Sequence, residues 1–145
     1  MDNNLLKRII NYIGIVIIIL FIIATFVFII GVIPMPSSVK KAEIHYGESQ
    51  IYSKDDMEQA AKVIKNKFKE FDGCKLKSIS YSGDDTSLRE SDDSRYDECI
   101  VFMCRFEPFI FKQWFGEMQG EQTFIFFLGR NKGGSWEFIK YGSGY

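Results

Sequence analysis

The sequence predicts an α+β protein in which an N-terminal transmembrane helix is followed by one long helix packed on a curved antiparallel sheet of about three to five strands. Three observations predict it. The 22 residues from Tyr12 to Ile33 carry no charge. A single apolar stripe at helical spacing runs from Met57 to Phe71. Beyond Leu76, short runs rich in β-branched and aromatic residues alternate with turn residues.

At about 1.5 Å per residue, the uncharged run covers the roughly 30 Å hydrocarbon core of a bilayer. Thr25 and the glycines Gly14 and Gly31 are its main interruptions, so it lacks the polar stripe that a helix on a soluble core needs. Isoleucine is a mediocre helix former in water, but in lipid every backbone group must be paired within the segment, and a helix does that. Lys7 and Arg8 would also suit the basic region of a cleaved signal peptide, whose apolar core is shorter, about 7–15 residues, and ends at a small-x-small site. Pro34-Met35-Pro36 follows instead. The expectation is therefore a retained single-pass anchor in the cell membrane. Residues 1–11 are cytoplasmic, because Lys7 and Arg8 directly precede the span. Residues 12–33 cross, 34–41 form a proline-stiffened tether, and 42–145 form an extracytoplasmic domain. Lys40 and Lys41 weigh against this orientation without reversing it.

The domain is long enough to bury one core and not two. Apart from Asp2, Lys7 and Arg8, the chain carries 16 basic and 18 acidic side chains, which gives no electrostatic reason for nucleic-acid binding. Its richness in Ile, Lys, Asn and Phe suits an AT-rich bacterial genome.

A helix is expected from Lys54 to Phe71, with Ser53 as N-cap, Asp55 and Asp56 in the positive first turn, and Gly73 as the left-handed residue that ends it. Met57, Ala60, Ala61, Ile64, Phe68 and Phe71 form its buried stripe. Strands are expected at Leu76–Tyr81, Cys99–Phe106, Thr123–Arg130 and Trp136–Tyr141, the last two joined by a hairpin at Asn131-Lys132-Gly133-Gly134. Ala42–Tyr46 reads equally as an edge strand or a short helix.

These elements, with Tyr52-Ser53-Lys54-Asp55-Asp56, Phe68-Lys69-Glu70-Phe71-Asp72-Gly73-Cys74-Lys75-Leu76, Arg130, Gly133-Gly134-Ser135-Trp136 and the terminal Tyr141-Gly142-Ser143-Gly144-Tyr145, resemble a family of uncharacterised domains. Its members are small secreted lipoproteins and membrane-anchored proteins of Gram-positive bacteria. The resemblance implies a cystatin-like or NTF2-like roll and brings no catalytic residues. A tryptophan expected near Phe124 is absent, and a helix replaces a lipidated cysteine as the anchor.

No G-x-S-x-G, P-loop or H-E-x-x-H pattern occurs, so no catalytic, cofactor or metal residues are assigned and an enzyme is not expected. His45, the single histidine, reads as a surface or packing residue. Gly83–Glu98 holds seven acidic residues, including Asp84, Asp85, Asp92 and Asp93, but lacks the alternate spacing and central glycine of an EF-hand, and reads as a solvated strand connection. Cys99 and Cys104 lie about 16 Å apart on one strand and cannot bridge. Pairing Tyr81 with Cys99 would put Leu76 opposite Cys104 and Cys74 diagonal to it. Three readings stay open: buried thiols, a Cys74–Cys104 disulfide, and a reactive or metal-binding role, for which no C-x-x-C or Cys/His cluster speaks.

Phe109, Phe111, Trp114 and Phe115 cluster in one short stretch, and Phe124, Phe126 and Leu128 alternate with Ile125 and Phe127. One helix covers only one face of such a sheet, so these residues fill a bent sheet, meet a partner or second copy, or line a lipid or ligand groove. Together with Arg130, the first four form the candidate partner or ligand surface. The expected function is binding or assembly at the bacterial cell envelope, with the lipid bilayer and an envelope protein or second copy as partners. Two alternatives are a structural subunit of a secretion- or conjugation-type machine, and a ligand carrier or enzyme using the concave sheet face with Arg130, Tyr81 or Gln122.

Overall fold

A computed structural model describes residues 3–92, 95–116 and 118–143, leaving aside the side chains of Asp92 and Phe115. It divides into two compact units, Met1–Ile33 and Pro34–Tyr145. The first is a single helix, α1 (Asn3–Val32), of 30 residues, none of them buried. It is long and apolar enough to cross a bilayer. Lys7 and Arg8 are good helix formers, so the helix extends N-terminally beyond the uncharged run. Thr25 leaves no polar gap in it, because its hydroxyl donates to the carbonyls of Phe21 (2.9 Å) and Ile22 (2.8 Å).

The second unit contains β1 (Glu43–His45), α2 (Lys54–Phe68), β2 (Cys74–Tyr81), α3 (Asp84–Asp92), β3 (Glu98–Pro108), α4 (Ile110–Phe115), β4 (Gln122–Arg130) and β5 (Glu137–Ser143). The strands form one sheet in the order β1-β2-β3-β4-β5. β1 pairs with β2 in parallel and the other pairs are antiparallel, so the sheet is mixed rather than wholly antiparallel, and it does not close. Connectivity explains the parallel pair: α2 carries the chain back before β2 begins, as a parallel crossover requires. Of the 42–46 stretch, Glu43–His45 is thus a strand and no part is a helix.

Ser53 and Asp56 form the capping box of α2, each side chain accepting the other's backbone N–H at 3.1 Å. The helix ends at Phe68, three residues before the expected Phe71, with Lys69 as its C-cap. Gly73 does take the left-handed conformation (φ +61°), but in the turn leading into β2. Phe71, freed from the helix, stacks on Phe68 with centroids 4.8 Å apart and meets the rings of Phe106, Phe126 and Tyr141. The core lies between α2 and one sheet face, where Met57, Ala60, Ala61, Ile64 and Phe68 meet Leu76, Ile79, Ile100, Phe102, Cys104, Phe106, Phe126 and Leu128. Burying each larger side chain stabilises by about 1.5–3 kcal/mol.

Between Leu76 and Ser78 the register of β2 shifts. An extra residue there lets both Leu76 and Ile79 reach the core despite their odd spacing, and leaves the buried Ser78 to accept a hydrogen bond from Arg105 Nε at 3.1 Å. The expected register is corrected accordingly: Tyr81 pairs with Phe102 and Leu76 with Phe106.

The segment Gly83–Glu98 departs furthest from expectation, since most of it folds as α3 against β3. β3 runs on past the end of β2, which would leave the Cys99 and Val101 amides without a neighbouring strand. Ser87 and Ser91, four residues apart on α3, supply the acceptors: Ser87 Oγ takes the Val101 N–H (3.2 Å) and Ser91 Oγ the Cys99 N–H (2.8 Å). The Tyr52 hydroxyl donates to the Cys99 carbonyl at 2.6 Å. Asp84, at the start of α3, accepts from Ser49 Oγ (2.6 Å), the Gln50 N–H (2.8 Å) and the Tyr81 hydroxyl (2.7 Å). These bonds, the Ser49 hydroxyl first, hold its carboxyl below the usual range. Asp93 lies outside the described residues.

Candidate functional site

β3 ends at Pro108 and the chain turns at once into α4. Half-buried Phe109 is the N-cap residue; its N–H donates to the Gly73 carbonyl (2.8 Å) and its own carbonyl accepts from the Lys112 and Gln113 amides (2.8 and 3.0 Å). The polar side chains of α4 turn toward the domain. Lys112 Nζ pairs with Asp72 Oδ2, and Gln113 Nε2 donates to the Pro108 carbonyl at 2.9 Å. The Lys112 stem lies over Gly73, where an added Cβ would come within 2.5 Å of Lys112 Cγ. The apolar side chains turn outward: Ile110 is 68% exposed, Phe111 51% and Trp114 76%. Met118 is exposed just beyond the helix. This reverses the usual arrangement of an amphipathic helix on a soluble core. The Phe115 side chain lies outside the described residues.

Asp72 is the hub beneath this helix. One carboxylate oxygen accepts the Met35 N–H and the other Lys112 Nζ. Lys112, with the Met35 N–H assisting, holds the carboxyl below the usual carboxylate range. The Met35 carbonyl in turn accepts the Gly73 N–H (2.7 Å), Ser38 N–H donates to the Cys74 carbonyl (2.8 Å), and Leu76 N–H to the Ser38 carbonyl (2.8 Å). The segment 34–41, read from sequence as a tether, is thus hydrogen-bonded through Met35 to the turn before β2 and through Ser38 to the start of β2.

The structure does not bring Arg130 to the aromatic cluster. α4 follows Pro108 at one end of β3 and Arg130 pairs with Glu98 at the other, about 33 Å away along the strand. Arg130 Nε contacts Glu98 Oε2, its Nη1 lies 2.5 Å from Asp56 Oδ1, and its guanidinium sits 4.2 Å over the Trp136 ring. Tyr81 is bonded to Asp84, and Gln122, at the far end of β4 from Arg130, donates to the Gln119 carbonyl. These three polar groups do not converge. His45 is exposed, 3.5 Å from Glu43 Oε2.

The sequence geometry that would allow a Cys74–Cys104 bridge is not met. Cys74 stands opposite Pro108 and Cys104 opposite Ile79, which separates them by about 15 Å along the sheet. Both are buried, unbridged thiols, and burial pushes both pKa values up. Cys99 is buried as well. Because thiolate is the reactive form, a water-soluble maleimide should leave the native protein unlabelled and label all three cysteines after denaturation, read by mass. Labelling of the native protein would contradict the burial.

Sequence reading missed Ile110, Met118, Asp72 and Met35. Ile110 was legible in principle, since Trp114 stands four residues after it and three after Phe111, the spacings that bring helical side chains together. The roles of Asp72 and Met35 depend on contacts between distant segments, which no local pattern records.

Fold and site together define a two-layer α+β domain behind a long apolar helix, with an exposed apolar turn of helix fastened beside residues 35–38. No protein-family model, no curated protein and no solved structure matches the chain.

Proposed function

We propose that this chain is a single-pass membrane-anchored domain of a bacterial cell envelope, used in binding or assembly beside the bilayer rather than in catalysis. The observation that carries the reading is α1, 30 residues long with no buried residue. A helix apolar all round has no place in water unless another surface covers it, and a bilayer covers it completely. Lys7 and Arg8 at its N-terminal end favour a cytoplasmic N-terminus and an extracytoplasmic domain.

Binding is preferred to catalysis because Arg130 and Tyr81 hold internal carboxylates and Gln122 stands apart from both. Kinship with the Gram-positive lipoprotein domains of cystatin-like or NTF2-like roll is supported by α2 lying across the sheet, although the parallel β1 departs from an all-antiparallel roll. Protease added to intact cells should remove the domain and leave a fragment holding α1 in the membrane fraction. Full protection of a C-terminal tag, with the tag cleaved once the cells are opened, would reverse the orientation.

A further inference from the structure

Helix α4 fastens Lys112 and Gln113 to the domain and presents Ile110, Phe111 and Trp114 outward, and the Lys112 fastening runs through the residue that also holds Met35. We infer that α4 is a second membrane contact, with Ile110, Phe111 and Trp114 seated in the headgroup–acyl boundary of the bilayer that α1 spans. The inference rests on the reading of α1 as a membrane span.

Reach is the first argument. Met35 is two residues beyond Ile33, a distance of at most about 7 Å along the chain. Its N–H and carbonyl are bonded to Asp72 and Gly73, and α4 is held by the same two residues through Lys112 and the Phe109 N–H. The end of the domain that carries α4 is therefore the end that the chain itself ties to the bilayer surface.

Chemistry is the second. A tryptophan beside aliphatic and phenyl groups matches the interface, where the indole ring lies in the apolar margin and its N–H stays among polar headgroups. Six residues make a poor helix alone in water, and the Asp72–Lys112 pair with the Phe109 cap holds this one formed before it meets lipid. Charge is the third argument. Asp72 neutralises Lys112, so α4 offers no net positive charge and its insertion does not need anionic lipid.

The test uses the full chain reconstituted in phosphatidylcholine vesicles, with and without bromine at shallow positions on the acyl chains. Of the two tryptophans, Trp136 is 5% exposed within the core and Trp114 is 76% exposed, so Trp136 serves as an internal reference. Brominated lipid should remove about half the tryptophan emission of the wild type, as expected when one of two indoles lies at the interface, and almost none from Trp114→Phe. Ile110→Ser with Phe111→Ser should reduce the quenching at least about twofold, with Trp136 emission unchanged. Adding phosphatidylglycerol should change nothing. Three results would overturn the contact: Trp114 unquenched and open to aqueous iodide, Trp114 shielded from both quenchers by a second copy of the chain, or quenching only with phosphatidylglycerol. Each is read on chain that resists alkaline carbonate extraction. Release by carbonate would instead overturn the span, and the contact with it.

Discussion

Phe68→Ala is expected to lower the unfolding free energy of the domain by about 3–5 kcal/mol, whereas Phe111→Ala should change it by less than about 0.5 kcal/mol. The two residues are alike in sequence and opposite in position. Phe68 is fully buried, stacked on Phe71 and edge-on to Phe106 at 5.4 Å. Its removal loses the transfer energy of a benzyl group and leaves a cavity that α2, fixed by its capping box, closes only in part. Against a typical total of about 5–15 kcal/mol, that is a large share. Phe111 is half exposed on α4, where Lys112, Gln113 and the Phe109 cap make the attachments. Denaturant titration of the full chain in a mild non-ionic micelle, followed by Trp136 fluorescence in a Trp114→Phe background, would read both. Equal losses would mean that α4 packs inward.

This contrast also marks what the sequence discloses. The 3.6-residue spacing of Met57, Ala60, Ala61, Ile64 and Phe68 located α2 and its buried face, and Ser53 located its start, because these signals are local. The β4–β5 hairpin was legible for the same reason, through Gly133 and Gly134; Gly133 takes φ +78°. Three features were not. The α3 helix is polar apart from the exposed Leu88, so its pattern matches a solvated loop. What orders it is Ser87 and Ser91 reaching the amides of a strand edge that exists only in the folded sheet. The extra residue in β2 shifts the register without any glycine or proline to announce it, and the cysteine geometry moved with it. The candidate surface was half legible: Phe111 and Trp114 are exposed as such a surface needs, but Arg130 was grouped with them although it ends the strand expected at Thr123–Arg130, and what carries it away is the antiparallel pairing that sets it against Glu98.

Arg130→Met tests that last assignment. The substitution keeps an unbranched apolar stem against Trp136 and removes the charge, and it is expected to cost about 2–3 kcal/mol of folding stability. Arg130 joins the first turn of α2, the start of β3 and the indole after β4, through Asp56, Glu98 and Trp136. Its loss leaves two carboxylates without their cation. They stay partly hydrated, with side chains 22% and 38% exposed, so the cost falls below that of breaking a fully buried pair. The pH dependence identifies the source. The Ser53 hydroxyl first, and then Arg130, hold the Asp56 carboxyl below its usual range. A depressed native pKa adds stability above the unfolded value near about 3.9 and gives it up as pH falls through the native value. Wild type therefore has more to lose in acid than the mutant, and the difference between them should narrow from pH of about 5 to about 2. A gap that stayed constant across that range would assign the cost to the guanidinium stacked on Trp136 and not to the carboxylates it bridges.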